Sequence, residues 1–219
     1  MQTQTQGAPP SSPTFWSHLR HEIKTPLTTL RNLPKVLEWE KLEGDNKEFL
    51  EDSLSSAQEL GQTVDRIFEA WQIQTEGLTP QMQQTTWQAI FEKLKTPENL
   101  KINITGDKNI KIKADPSLMI KALQELINNA AFFNTHKKPE LKIQVTKSNI
   151  TLQDNGIGIA PEHQNHVFDM LFVSSPSRNR TECGVGIGLT LARHIITAHD
   201  GEIKITQSSP KGTTFEVRL

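Results

Sequence analysis

Between Leu50 and Trp71 apolar residues recur in two interleaved seven-residue series, Leu50, Ala57, Val64 and Trp71 and, beside them, Leu54, Gly61 and Phe68. A helix written this way carries a broad seam that it cannot bury alone. Upstream, Leu19, Ile23, Leu27, Leu30 and Leu37 also recur at helical spacing, and Gly44-Asp45-Asn46 separates the two runs. The pattern predicts a two-helix hairpin. A hairpin of this length leaves apolar surface on both helices, so a homodimeric four-helix bundle is the natural solution, with packing of the stripes onto the rest of the same chain as the alternative.

The period changes after residue 72. Gly77 and Pro80 punctuate a stretch with few apolar residues, read as a linker over 73–80. Beyond it lie short alternating runs typical of strands, at 101–105, 110–113, 141–146, 150–152, 203–207 and 213–219. One helix is expected to start at Asp115, an N-cap followed by Pro116, and to bury Leu118, Ala122, Leu123, Leu126, Ile127 and Ala130. A second is expected after Pro161 and a third from Gly188, carrying Leu189, Leu191, Ala192, Ile195 and Ile196. The fold class is thus multidomain, α followed by α+β. The divisions expected are a polar leader over 1–14, a helical hairpin over 15–72, the linker, and an α/β sandwich over 81–219 with helices on one face of a mixed sheet.

Composition narrows the function. With 219 residues and a formal net charge of -1, the chain offers no electrostatic footprint for nucleic acid. The Gln-, Thr-, Ser- and Pro-rich leader has neither a basic nor an apolar stretch of a signal peptide and reads as disordered. No apolar run approaches the roughly 20 residues that span a bilayer. The lone Cys183 fits a reducing cytoplasm.

Four polar constellations remain. In His21-Glu22-Ile23-Lys24-Thr25-Pro26-Leu27, His21 and Thr25 share a helical face and Glu22 sits about 100° away, where it can orient the ring. Pro26 removes one helical hydrogen bond, so a local loosening is expected there. On the Asp115 helix, Glu125 and Asn129 also share a face, and an amide oxygen there is a hard ligand suited to Mg²⁺. Asp154-Asn155-Gly156-Ile157-Gly158 follows a strand: its glycines allow close approach to a flat base, and its carboxylate can accept from an amine. Gly184-Val185-Gly186-Ile187-Gly188 opens a helix, where backbone N–H groups favour phosphate. Taken singly, each also suits a solvated helix face or a bare turn.

Taken together they carry a resemblance. Phe15 and the His21 run resemble the H box of sensor histidine kinases of two-component systems. The three later segments, in order, resemble the N, G1 and G2 boxes of the Bergerat-type ATP-binding fold shared by histidine kinases, type II topoisomerases, Hsp90-type chaperones and mismatch-repair ATPases. Phe168 to Phe172 resembles the F box, and Gly212-Thr213-Thr214-Phe215 the closing strand. The resemblance implies that His21 accepts the γ-phosphoryl group of ATP with help from Glu22, and that Thr25 positions water for the reverse, phosphatase activity. It implies further that Asn129 ligates Mg²⁺ beside Glu125 and that Asp154 binds the adenine amine. Gly156 and Gly158 would shape the adenine pocket, Gly184, Gly186 and Gly188 the phosphate lid, and Thr213 would support Asp154, through water or directly. The implied partners are a response regulator, a second copy of the chain and a separate sensor protein, unless the chain is a piece of a longer kinase.

One departure stands out. Phe132 and Phe133 occupy the place where the family shows Lys then Tyr or His, leaving His136, Lys137, Lys138, Arg178 or Arg180 as substitute cations or as solvated loop charges. That departure motivates a rival reading, a histidine-kinase-like scaffold or phosphatase with little kinase turnover. A mechanical ATPase of the topoisomerase or chaperone kind would leave the His21 run unexplained.

Overall fold

The computed structural model describes residues 13–36, 44–147, 149–174 and 186–219. They divide into two compact units with the break between Glu69 and Ala70. Residues 1–12 of the leader, the Gly184 end of the phosphate loop, Arg178, Arg180 and Cys183 lie outside the described residues, while Pro13 and Thr14, expected in the leader, begin the first helix.

The first unit is the expected hairpin. Helix α1 spans Pro13–Val36 and helix α2 spans Asp45–Glu76. Gly44 starts α2 at a φ of 60°, its carbonyl accepting from Lys47 N–H at 3.0 Å. The helices run antiparallel: Arg20 and Lys24 both reach Asp65, at 2.9 and 2.6 Å, and the Arg20 guanidinium lies 5.9 Å from the centre of the Phe68 ring. Leu27 approaches to 3.9 Å of where a Cβ on Gly61 would lie. Ala57, Val64 and Phe68 of the heptad seam are buried, whereas Leu30, Phe49 and Leu60 stay exposed. The helix α1 assignment runs unbroken through Pro26.

At its other end α2 runs on to Glu76, into the stretch expected as linker, and Ile73 joins the core of the second unit. Gly77, at a φ of 77°, closes the helix by donating to the Ile73 carbonyl at 3.0 Å, the left-handed cap that glycine adopts most readily.

The second unit is the α/β sandwich. Its strands are β1 (Gln83–Thr86), β2 (Lys101–Gly106), β3 (Lys111–Ala114), β4 (Glu140–Val145), β5 (Asn149–Asp154), β6 (Glu202–Ser209) and β7 (Gly212–Arg218). Its helices are α3 (Trp87–Phe91), α4 (Pro116–Phe132) and α5 (Gly188–Ala198). The main sheet has the order β2-β4-β5-β7-β6, parallel only between β2 and β4. Ile143, Leu152, Phe215 and Ile205 stand opposite one another across four strands, and with Leu141, Ile150 and Val217 they meet Met119, Leu123 and Ile127 of α4 and Ile195 and Ile196 of α5 in one core. The opposite face carries Lys142, Gln144 and Gln153, all exposed, so one side of the sheet is packed and the other solvated.

The expected run at 110–113 forms β3, one residue later than read, and pairs with β1 in a separate two-stranded sheet. Strand β1 was not expected, because Gln83-Gln84-Thr85-Thr86 has no apolar alternation. The helix expected after Pro161 is a correction: only a 3₁₀ turn forms at Pro161–His163, followed by further turns such as His166 N–H to the His163 carbonyl at 2.9 Å. The segment lacks an apolar stripe that would reward a longer helix. Asp115 caps α4 as expected, accepting from Ser117 and Leu118 N–H at 3.0 and 3.1 Å, and also from Gln81 N–H at 2.9 Å. Those bonds hold its carboxyl below the ordinary value against the upward push of burial.

Candidate functional site

Each unit contributes its own set of groups. On the hairpin, His21 and Thr25 are exposed on one face of α1 and line an open groove of about 520 Å³ with Arg20, Lys24, Thr28 and Thr29. The Thr25 hydroxyl donates to the His21 carbonyl at 2.9 Å, so the two are linked through one helical turn. Glu22 is exposed on the adjoining face. Arg20 and Lys24 make the groove basic, and although burial pushes the Asp65 carboxyl up, their bonds to it hold it below its ordinary value. The arrangement offers a solvent-reachable ring nitrogen among cations and hydroxyls, suited to handling a phosphoryl group.

In the second unit, β5 ends at Asp154 and the chain turns through Gly156 and Gly158 across the end of β7 toward β6. Asp154 Oδ1 accepts from Gly156 N–H at 2.8 Å and Thr213 N–H at 3.1 Å. Among the described residues no donor from another residue reaches Oδ2. Burial pushes the Asp154 carboxyl above its ordinary value, although these donors and the residue's own backbone N–H pull the other way. A carboxylate fixed by one oxygen, with the other open, is set to accept from a ligand donor.

The glycines there are required by crowding. A Cβ on Gly156 would lie 2.4 Å from the Phe133 carbonyl oxygen, one on Gly158 1.9 Å from the Ser209 carbonyl oxygen, and one on Gly212 2.0 Å from the Asp154 carbonyl oxygen. Three stretches of backbone thus cross beside Asp154 with no room for side chains. Thr213 supports Asp154 directly through its amide, and its hydroxyl pairs with that of Ser208 at 3.0 Å.

Asn129 lies half-buried near the end of α4, and among the described residues its side chain has no hydrogen-bond partner. By contrast Asn128 is engaged, its Oδ1 accepting from Gln124 at 3.0 Å. One turn before Asn129, a Glu125 oxygen lies 2.6 Å from where a Cβ on Gly188 would be, which places that carboxyl against the start of α5. Gly186, at a φ of 69°, accepts from Leu171 N–H at 3.0 Å, and a Cβ on it would lie 2.4 Å from the Phe172 carbonyl oxygen. Phe132 packs edge-on against Phe133 with ring centres 4.9 Å apart, while His136, Lys137 and Lys138 are exposed. Among the described residues no three His, Cys, Asp or Glu side chains gather to hold a metal. A lone amide oxygen at Asn129 fits Mg²⁺ only as one ligand among phosphate oxygens and waters, the usual coordination of that ion.

Several site residues escape sequence reading. Asn155 braces the loop after α4: its Oδ1 accepts from Asn134 at 2.6 Å and from Glu140 N–H at 2.8 Å, and its Nδ2 donates to the Lys138 carbonyl at 3.0 Å. Leu171 adopts a φ of 65°, an unusual backbone for a branched apolar residue, next to Gly186. Ser208 lies outside every motif. Only Asn155, inside the Asp154 run, carried a signal that could have drawn attention.

Comparison with known proteins extends the picture. Residues 14–76 match the family described as His Kinase A (phospho-acceptor) domain, and residues 114–219 that described as Histidine kinase-, DNA gyrase B-, and HSP90-like ATPase. Sensor-like histidine kinase SenX3 of Mycobacterium tuberculosis (strain ATCC 25618 / H37Rv) is 28% identical over 216 residues, covering 94% of this chain and 53% of its own length. Sensor protein SrrB of Staphylococcus aureus (strain NCTC 8325 / PS 47) is 29% identical over 220 residues, covering 94% of this chain and 37% of its own. The chain therefore spans about half the length, or less, of these curated relatives. Among solved structures, full-length ShkA in complex with AMPPNP superposes with a TM-score of 0.77 at 17% identity, over 94% of this chain and 45% of that one. Acinetobacter baumannii histidine kinase AdeS superposes with a TM-score of 0.60 at 20% identity, over 91% and 96%. At such identities the superpositions speak for the fold alone. No helix among the described residues is long and apolar enough to cross a membrane.

Proposed function

This chain belongs to the sensor histidine kinases of two-component signalling, and from that membership we propose that it is an ATP-dependent protein-histidine kinase that phosphorylates its own His21. The observation that carries the reading is Asp154, saturated on one oxygen and open on the other above a turn that only glycine can make. Its open oxygen accepts the exocyclic amine of adenine, and Gly156 and Gly158 let the base lie flat against backbone. Gly186 and Gly188, with the N-terminus of α5, present N–H groups to phosphate oxygens. Asn129 would hold Mg²⁺, with Glu125 orienting its waters; when bound, the ion neutralises phosphate charge.

His21 supplies the nucleophile. Its neutral ring nitrogen forms a bond to the γ-phosphorus as the bond from that phosphorus to the departing ADP oxygen breaks, and Glu22 takes or steadies the proton on the other ring nitrogen. The phosphoryl group then passes to an aspartate of a response regulator. Thr25, whose hydroxyl proton already goes to the His21 carbonyl, keeps acceptor lone pairs that can position water for dephosphorylating that regulator. Exposed Leu30 and Leu60 support dimerisation through the hairpin, since apolar residues on its surface are covered when a second copy packs alongside.

A second reading is favoured by Phe132. An aromatic pair in place of the expected cation removes a charge from the phosphate end of the pocket, which favours a scaffold or phosphatase with slow kinase turnover. Incubation with Mg²⁺ and γ-labelled ATP separates the two. Kinase activity predicts label on the chain that is lost in acid, absent from His21→Gln and retained in Thr25→Ala. Label persisting on His21→Gln sinks the assignment, and ATP binding without label selects the scaffold.

A further inference from the structure

Two cations of α1 converge on a single carboxylate oxygen of α2. Arg20 Nη2 and Lys24 Nζ lie 2.9 and 2.6 Å from the same atom, Asp65 Oδ1. The trio carries a net positive charge, and ion pairs as exposed as these are held weakly and exchange readily for a stronger anion. The two cations are not held alike. The Arg20 guanidinium has a second hold on α2, 5.9 Å from the centre of the Phe68 ring, whereas Lys24 ends in three rotatable donors on a flexible stem.

Both cations also line the groove that contains His21, with Thr25, Thr28 and Thr29. Lys24 stands three positions after His21, the spacing of neighbours on a helix surface, and Arg20 one position before it. A phosphoryl group on the imidazole brings nearly two negative charges and three acceptor oxygens into this groove. There it competes with a singly charged carboxylate for the same two cations, and the greater charge wins.

We propose that Asp65 is the resting counter-anion of the phosphoacceptor groove: it holds Arg20 and Lys24 until His21 carries a phosphoryl group, then yields Lys24 to that group while Arg20, tied also to Phe68, stays on α2. The proposal rests on the reading of His21 as phosphoacceptor and deepens it. The exchange removes one of the two ion pairs on Asp65, so a charge added to one side chain of α1 becomes a looser tie between the helices. Asp65 touches no reacting atom in this scheme; it sets which cation is free to reach the phosphoryl group.

The test needs no ATP. Phosphoramidate phosphorylates exposed imidazoles: a ring nitrogen bonds to phosphorus as the phosphorus–nitrogen bond of the reagent breaks, and ammonia leaves with the proton shed by the ring. In the whole chain so treated, the phosphorus NMR resonance missing from His21→Gln reports the His21 phosphoryl group, and its shift with pH gives the second ionisation of that group. Circular dichroism checks that each variant keeps its helices. Lys24→Gln should raise that ionisation by about half a pH unit, the weight of one exposed ion pair, and Arg20→Gln by less. Asp65→Asn should lower it, since the competitor is gone, and Asp65→Glu, which keeps the carboxylate, should leave it in place. In the Lys24→Gln background the drop from Asp65→Asn should shrink, because the cation it releases is missing. An equal drop in both backgrounds is plain repulsion between Asp65 and the phosphoryl group and overturns the proposal, as does no change in Lys24→Gln or a larger one in Arg20→Gln; the phosphoacceptor reading then still stands. If every resonance survives His21→Gln, His21 takes no phosphoryl group, and that reading falls with this proposal.

Discussion

The two chemically equipped regions of this molecule present their groups in opposite ways. His21 stands on the open face of a continuous helix, supported by its own turn, with Thr25 bonded to its carbonyl and a groove of cations and hydroxyls around it. The Asp154 region is assembled from three crossing backbone segments that come closer than any side chain allows. In the first the chemistry resides in side chains on a generic scaffold. In the second it resides in the path of the main chain, with Asp154, among the described residues, as the ionisable group at its centre. The helix face should therefore lose function without losing structure, and the crowded glycines of the pocket should lose both together.

Gly158→Ala tests this most severely. Its φ of 73° and the Ser209 carbonyl oxygen 1.9 Å from the new Cβ combine left-handed strain with a backbone collision that no rotamer relieves. We expect a loss of about 3 kcal/mol in stability, and a loss of at least about a hundredfold in ATP affinity, read by melting and titration. His21→Gln should melt with the unaltered protein. Equal loss of stability in both variants would erase the contrast.

Asp154→Asn sharpens it. Burial raises the folded-state value of this carboxyl, against the pull of the Gly156 and Thr213 donors. A raised carboxyl favours folding fully below the unfolded value, and that contribution is lost as pH rises through the folded one. At neutral pH the ionised side chain thus opposes the nucleotide-free fold, so Asn should slightly raise its melting temperature while weakening ATP by about a hundredfold, since a charged acceptor is replaced by a donor facing an amine. ATP affinity of the unaltered protein should fall as pH drops through the raised value. That fall should be missing in the variant. A variant that melts lower than the unaltered protein at neutral pH would show that the carboxylate stabilises the turn instead.

How far the sequence foretells such behaviour depends on which physical signal a residue leaves. The heptads of α2 and the Asp115-Pro116 start of α4 are local patterns, and both appear as read. Five of the six alternating runs join the main sheet. Strand β1 has no apolar residue to betray it and exists because β3 supplies a partner. The stretch after Pro161 has the proline of a helix start but no stripe to bury, and only a 3₁₀ turn survives. At the site, Asp154 and its glycines are legible because tight turns demand particular residues. Ser208 is not, because a bulge at Thr206 decides which way it faces and alternation alone points to Gln207. Leu171 is hidden for a similar reason: its left-handed backbone follows from the neighbouring Gly186, not from its own preference.

The mildest expectation concerns Gly61, the one glycine in the interior of α2. Unlike Gly158 it has an ordinary helical backbone, and a Cβ there meets only Leu27 Cδ1 at 3.9 Å, a normal van der Waals distance. Replacing a mid-helix glycine by alanine removes conformational freedom from the unfolded chain and adds a better helix former, worth about 1 kcal/mol. Gly61→Ala should therefore raise the melting temperature by a few degrees and leave ATP affinity unchanged, the reverse of Gly158→Ala on both counts. The position also lies on the seam predicted to meet a second copy of the chain, which gives the measurement a further use. If the variant melts lower at high protein concentration but higher at low concentration, the missing side chain is making room for a neighbouring helix from the other copy, and the hairpin face is as tightly constrained as the pocket once it is paired.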